Sequence, residues 1–183
     1  MTTLLCYNSP EYYILLDTFQ NTKLDKWIAR NVESFIYEWK EKTYKNITLK
    51  EIYLTRFGEK DGEYKELSNN QLIVYGHYKE GKREGEYKQW LLNGQLYIHC
   101  YYKGGKREGE YKRLWKNGQL WIYCHFKEDK EEDEYKQWFE NGQLWIYCHF
   151  KEGKEEGAYK EWNEEGVLIK DEVYHNGEKI SVV

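Results

Sequence analysis

The segment NGQLWIYCHFKE occupies residues 117–128 and returns unchanged at 141–152. Each copy carries an adjacent thiol and imidazole, Cys124-His125 and Cys148-His149, and a third thiol, Cys100, follows His99. Such pairs are zinc ligands, or a nucleophile with its base. The surrounding alternation of aromatic and polar residues is that of a strand, whose neighbouring side chains point to opposite faces. Cys124 and His125 therefore cannot grip one ion. Equivalent positions in successive hairpins stand two strand spacings apart, about 9.6 Å, whereas zinc takes ligands at about 2.0–2.3 Å and a disulfide needs Cα atoms within about 7 Å. The thiols are expected to fill a packed column shared with Gly76 and Glu172, and neither a metal nor a cofactor is expected. His77, His125 and His149 share a second column with Tyr101 and Val173, which suits a half-exposed strand face.

Carboxylates offer the other chemistry. Glu86, Glu110 and Glu134 recur beside Lys88, Lys112 and Lys136. Paired charges do acid–base work only where a pocket shifts their pKa values, and nothing in the sequence builds one. The plainer reading is cross-strand ion pairing on a solvated sheet. No nucleophile elbow, phosphate-binding loop or H-E-x-x-H zinc motif is present. No catalytic residue is named, and an enzyme is not expected.

The elements that carry these residues follow from the repetition. From Gly58 the chain runs through units at 58–80, 81–104, 105–128, 129–152 and 153–176, with a partial copy at 177–183. The first is one residue short and the next four keep a period of 24. Asn93-Gly94, Asn117-Gly118 and Asn141-Gly142 each separate two aromatic-rich segments, the signature of a two-residue type I′ hairpin turn. Asn69-Asn70 and Glu165-Gly166 are weaker versions. The E-G-K-R-E-G stretches are expected to be polar loops joining one hairpin to the next.

Period-two alternation puts Leu144, Ile146, Cys148 and Phe150 on one face, and Trp145, Tyr147, His149 and Lys151 on the other. A two-residue turn at Asn141-Gly142 sets Trp138 opposite Trp145 and Tyr135 opposite Cys148. On this reading Trp90, Tyr97, Trp121, Trp138, Trp145 and Trp162 form one aromatic interaction face, of a kind that binds peptides or sugars. Aromatics are 18% of the chain, charged residues 33%, and the mean hydropathy is −1.00. Aliphatic core formers are too scarce for a thick two-layer core. The fold class is therefore mainly β, an elongated single-layer antiparallel β-meander of consecutive hairpins.

The pattern G-x-x-x-G-x-Y-K-x-W-x-x-N-G-Q-L resembles the MORN repeat in its longer variant, and Gly85, Tyr87, Trp90, Asn93, Gly94 and Leu96 form one full set. Asp133 replaces a motif glycine and Leu114 a motif tryptophan. The resemblance implies an elongated sheet of hairpins that acts as a scaffold, a dimerisation element or a lipid-associated module. Close arrays resemble those of bacteria and of large DNA viruses of amoebae, which for a viral chain would mean the host cytoplasm.

Residues 1–57 fall outside the period and are expected to cap it. Ser9-Pro10 opens one expected helix, with Tyr12, Leu15, Leu16 and Phe19 on a side. A second is expected over 24–42, with Leu24, Trp27, Asn31, Phe35 and Trp39 near one stripe, followed by a strand in ITLKEIYLTRF. The run from Ser9 to Phe35 also resembles a degenerate F-box through Pro10, Glu11, Leu15, Phe19, Leu24, Val32 and Phe35, although the family's Leu before the proline and Cys after Val32 are missing. That resemblance implies an adaptor with a Skp1-like partner, recruiting proteins to a ubiquitin ligase.

The net charge of −4 disfavours nucleic acid and, as a third reading, an anionic lipid surface. With no secretion signal in the first residues, a cytoplasmic location is expected. The leading expectation is a protein-interaction scaffold that forms a homodimer through a sheet edge, with Ile180, Val182 and Val183 as the candidate edge residues.

Overall fold

The computed structural model describes residues 35–44, 47–56 and 58–180. Among them there is no helix, and every regular element is a strand. Contacts divide the chain into two compact units, one up to Lys82 and one from Arg83 onward.

The first unit holds β1 (Phe35–Tyr44), β2 (Ile47–Arg56), β3 (Glu59–Ser68) and β4 (Gln71–Lys79). Each is antiparallel to the next, with Trp39 opposite Ile52, Tyr53 opposite Tyr64 and Tyr64 opposite Gly76. The expected helix over 24–42 is thus corrected from residue 35 onward. Phe35 and Trp39 are four apart, an even spacing that satisfies a strand face as well as a helical stripe. The β-branched and aromatic residues of FIYEWKEKTY, and a partner strand in register, decide for the sheet. The strand expected at ITLKEIYLTRF is β2. The helix expected after Ser9-Pro10, and residues 24–34 of the second, lie outside the described residues.

The second unit holds β5 (Lys82–Trp90), β6 (Leu96–Lys103), β7 (Lys106–Leu114), β8 (Leu120–Lys127), β9 (Lys130–Trp138), β10 (Leu144–Lys151), β11 (Lys154–Trp162), β12 (Leu168–His175) and β13 (Glu178–Ile180). Their spatial order is their chain order, as a meander requires.

Asn69-Asn70 in the first unit is the two-residue turn the sequence suggests, with Ser68 opposite Gln71 and φ of 48° and 66°, but in the second unit the two kinds of connection are reversed. Lys151 pairs with Lys154, so Glu152-Gly153 alone makes the turn, with φ of 53° and 80°. The same two-residue geometry recurs at Gly104-Gly105, Glu128-Asp129 and Asn176-Gly177, both residues left-handed each time. These are the type I′ turns. The Asn-Gly loops are one residue longer. The Phe139 N–H donates to the Gln143 carbonyl at 2.9 Å, and the Gly142 N–H donates to the Phe139 carbonyl at 3.0 Å. Gly142 has φ 87°, whereas Asn141 is not left-handed. This is a type I turn closed by a glycine bulge. The Asn141 Oδ1 decides it by accepting the Gln143 N–H at 2.8 Å, a bond that holds the asparagine in a right-handed turn.

The longer loop shifts the register. Trp138 lies opposite Leu144 rather than Trp145, and Trp145 becomes the extra residue of a bulge before Ile146 pairs with Gln137. From there Tyr135 faces Cys148, as the sequence indicates.

The core of this unit is one cross-strand row: Tyr87, Cys100, Tyr111, Cys124, Tyr135, Cys148 and Tyr159 stand opposite one another in turn. Large and small side chains alternate, so each thiol is roofed by flanking rings, and all three cysteines are fully buried. The rings also meet edge to face, Tyr111 on Phe126 and Tyr135 on Phe150 with centroids 5.5 Å apart. Glu172 ends the row opposite Tyr159, where the Lys179 Nζ at 2.5 Å, the Tyr174 hydroxyl at 2.8 Å and the Lys170 Nζ at 3.1 Å all reach its carboxylate.

Candidate functional site

The sheet of the second unit presents two different faces. On the imidazole face, Glu86 accepts from Lys88 at 2.8 Å and from His99 at 2.9 Å. Glu110 accepts from Lys112 at 2.8 Å and from the Tyr123 hydroxyl at 3.2 Å, and Glu134 accepts from Lys136 at 2.8 Å. The lysine hydrogen bond holds each of these carboxyls below the usual range, and the same bond raises the Lys112 ammonium. In the Glu110–Lys112 pair both partners are thereby pushed away from neutrality, the opposite of what general acid–base work needs. Tyr123 and Tyr147 meet His125 and His149 edge on, with centroids 5.3 and 5.2 Å apart.

On the thiol face, burial pushes Cys100 up to about 11 and Cys124 and Cys148 up to about 12, far from a reactive thiolate. Cys148 and His149 pair with different neighbours, Tyr135 and Glu134, and turn to opposite faces. Among the described residues no group of three or more His, Cys, Asp or Glu side chains gathers to hold a metal ion.

The six residues expected to form one aromatic face are divided between the two. Trp90, Trp138 and Trp162 stand opposite Leu96, Leu144 and Leu168 and alternate onto the imidazole face with Lys88, Lys136 and Lys160. Tyr97, Trp121 and Trp145 fall at bulges that turn them to the thiol face. Arg113, on that face opposite Ile122, spreads over the Trp121 ring at 4.2 Å and the Tyr97 ring at 4.8 Å and donates to the Tyr97 hydroxyl. The Trp145 Nε1–H donates to Glu161, the register partner of Ile146, at 3.2 Å. Trp121 stacks on Trp115 at 4.3 Å and Trp145 on Phe139 at 5.0 Å, pairings that period-two counting through the loop cannot produce. Of the candidate edge residues, Ile180 ends β13 opposite Val173, while Val182 and Val183 lie outside the described residues.

A structural site went unread in the sequence. The Gly153 N–H donates to the Glu131 carbonyl at 2.9 Å, and the Glu152 N–H donates to the Glu132 carboxylate at 2.8 Å. Glu84, Glu108 and Glu156 hold Gly104, Glu128 and Asn176 in the same way, at 2.7, 3.0 and 2.9 Å. Each type I′ turn is thus clamped by a glutamate 20 residues earlier, at the start of the repeat that the turn closes. The signal was the glutamate three residues past each turn, constant while the residue before it changes from Arg83 and Arg107 to Glu131 and Glu155.

With this geometry in place, the sequence profile of the family described as MORN repeat variant matches residues 83–103, 107–128 and 134–152. Residues 83–152 are an array of MORN repeats. No curated protein matches it at a significant level of similarity. The matched MORN units are consecutive, and the unit at 153–176 continues their hairpin, bulge and clamp geometry. An array of MORN hairpins is consistent with a repeat scaffold or binding module. The F-box resemblance rests on residues outside the described ones apart from Phe35, which stands in β1.

Proposed function

We propose that this chain is a non-enzymatic scaffold for protein–protein interaction that associates with itself through the sheet edge at β12 and β13. One observation carries the reading. β13 pairs only with Val173, Tyr174 and His175, so among the described residues the outer edge of β12 from Leu168 to Glu172 has no partner strand. Leu168 and Ile169 open this edge at 44% and 59% exposed ahead of the charged Lys170, Asp171 and Glu172, and Ile180 at the end of β13 is 45% exposed. An unpaired row of N–H and C=O groups beside apolar side chains is a template for another strand. Sedimentation velocity on the full chain tests this. The wild type should self-associate with rising concentration, and Leu168→Lys with Ile180→Lys should lower its average mass. An unchanged average mass, or a wild type that stays monomeric at high concentration, removes the edge from the account.

A further inference from the structure

The thiol face carries a charge pattern that its repetition conceals. Residues 105–128 and 129–152 are near copies, yet three of their differences fall on this face: Arg107 becomes Glu131, Gly109 becomes Asp133, and Arg113 becomes Gln137. The register confirms the placement, since Arg107 lies opposite Tyr102, Glu131 opposite Phe126 and Glu155 opposite Phe150. Arg83, Arg107 and Arg113 therefore make one half of the face positive. Glu131, Asp133, Glu155 and Glu161 make the other half negative. Lys170 binds Glu172 at 3.1 Å and Arg107 binds Asp129 of the adjoining turn at 2.9 Å, so both of these cations carry a counter-charge of their own. The imidazole face shows no such division, because each of Glu86, Glu110 and Glu134 has its own lysine.

The positive half is built on rings. The Arg107 guanidinium lies 3.9 Å above Phe126 and is anchored by Asp129, and Arg83 lies over Tyr87 and Tyr102. In the negative half, Glu131 and Glu155 form no ion pair among the described residues. Half-buried carboxylates above an aromatic row, with no cation of their own, call for a cationic surface carrying rings at the same spacing. The molecule's own other half is such a surface.

We propose that the thiol face of the second unit is a self-complementary docking surface on which a second copy of this chain seats with its repeats in reverse order. A two-fold axis along β8 sets Arg107 against Glu131 of the other copy and Arg83 against its Glu155, and the symmetry makes each pair twice. Tyr111 and Tyr135 exchange places across the same axis. The strands from β5 to β11 at strand spacing give roughly 900 Å² per copy, the area of a standard specific interface. Because the two charge signs occupy opposite halves, parallel stacking would set like against like and is disfavoured. The face acts independently of the sheet edge.

The test is charge reversal in trans, read by sedimentation velocity on the full chain carrying Leu168→Lys and Ile180→Lys, so that the edge contributes nothing. That background should remain a dimer that weakens with salt. Arg83→Glu with Arg107→Glu makes the face uniformly negative, and Glu131→Arg with Glu155→Arg makes it uniformly positive. Each alone should weaken pairing about 100-fold, as four favourable pairs become four repulsive ones, and an equimolar mixture should recover the dimer. Glu131→Gln with Glu155→Gln, which introduces no new charge, should weaken it about 10-fold. A monomeric background, a reversed variant that pairs as tightly as the background, or a mixture that stays monomeric overturns the proposal. Failure of the edge shows separately, as identical association by the wild type and the background.

Discussion

Asp133 stands where the neighbouring repeats have Gly109 and Gly157, and it adopts the same left-handed backbone, with φ 61° against 83° and 81°. A Cβ at either glycine would meet nothing within 4 Å, so the cost of a side chain here is backbone strain alone. Asp133→Gly should therefore raise stability by about 1 kcal/mol in urea unfolding, and Gly109→Ala should lower it by a similar amount. The thiols give a second residue-scale prediction. With Cys100, Cys124 and Cys148 buried and held at about 11 to 12, a Cys6→Ser chain should not react with a disulfide reagent at pH 8, and should release three thiols only in denaturant. Glu172 gives a third. Its hydrogen bonds from Lys179 and then Tyr174 lower its carboxyl to about 2 from the ordinary 4.5. A depressed folded pKa stabilises above the unfolded value, and that contribution drains away as the pH falls from about 4.5 through 2. The protection of the Val173 and Tyr174 amides, measured relative to their intrinsic exchange rates at each pH, should fall over that window in the wild type, and Glu172→Gln should show no such change.

At the scale of the element, the hairpins were legible, and so was the Asn69-Asn70 turn, but the turns of the second unit were not. Aromatic and polar alternation around each Asn-Gly located the strands, and the Tyr–Cys row followed from counting by two. What counting could not supply was the single extra residue in each Asn-Gly loop, because the asparagine's own side-chain bond to Gln143 or its equivalents selects the longer turn. That residue moved Tyr97, Trp121 and Trp145 to the other face and divided the expected aromatic site. Glu152-Gly153 failed to register as a type I′ turn because glutamate rarely accepts a left-handed backbone. It does so here because Glu132 holds its N–H from outside the hairpin. Glu132→Ala should cost about 1–2 kcal/mol, the worth of a charge-assisted hydrogen bond, and speed amide exchange at Glu152 and Gly153 without touching the turns two repeats away.

Across the whole molecule the repetition limits how far any perturbation travels. The bonds just described join adjacent hairpins, so stability in the second unit is a sum over units and their neighbours. Excising residues 129–152 joins Glu128 to Gly153 in the original frame and lets β8 pair with β11, the repeat-equivalent of the β9 it loses. The shortened chain should fold cooperatively, with a denaturant slope reduced in proportion to the surface removed. It would also lose Glu131 and so unbalance the thiol face.

The glutamate clamps have a direction, and it matters during synthesis. In every one the acceptor comes first in the chain and the turn that donates to it follows, at Glu84 before Gly104, Glu108 before Glu128, Glu132 before Glu152 and Glu156 before Asn176. A nascent chain leaving the ribosome therefore meets its anchoring carboxylate already in place each time a new turn emerges. The array can be laid down in the order it is translated, each hairpin setting on a finished neighbour without waiting for a distant partner strand.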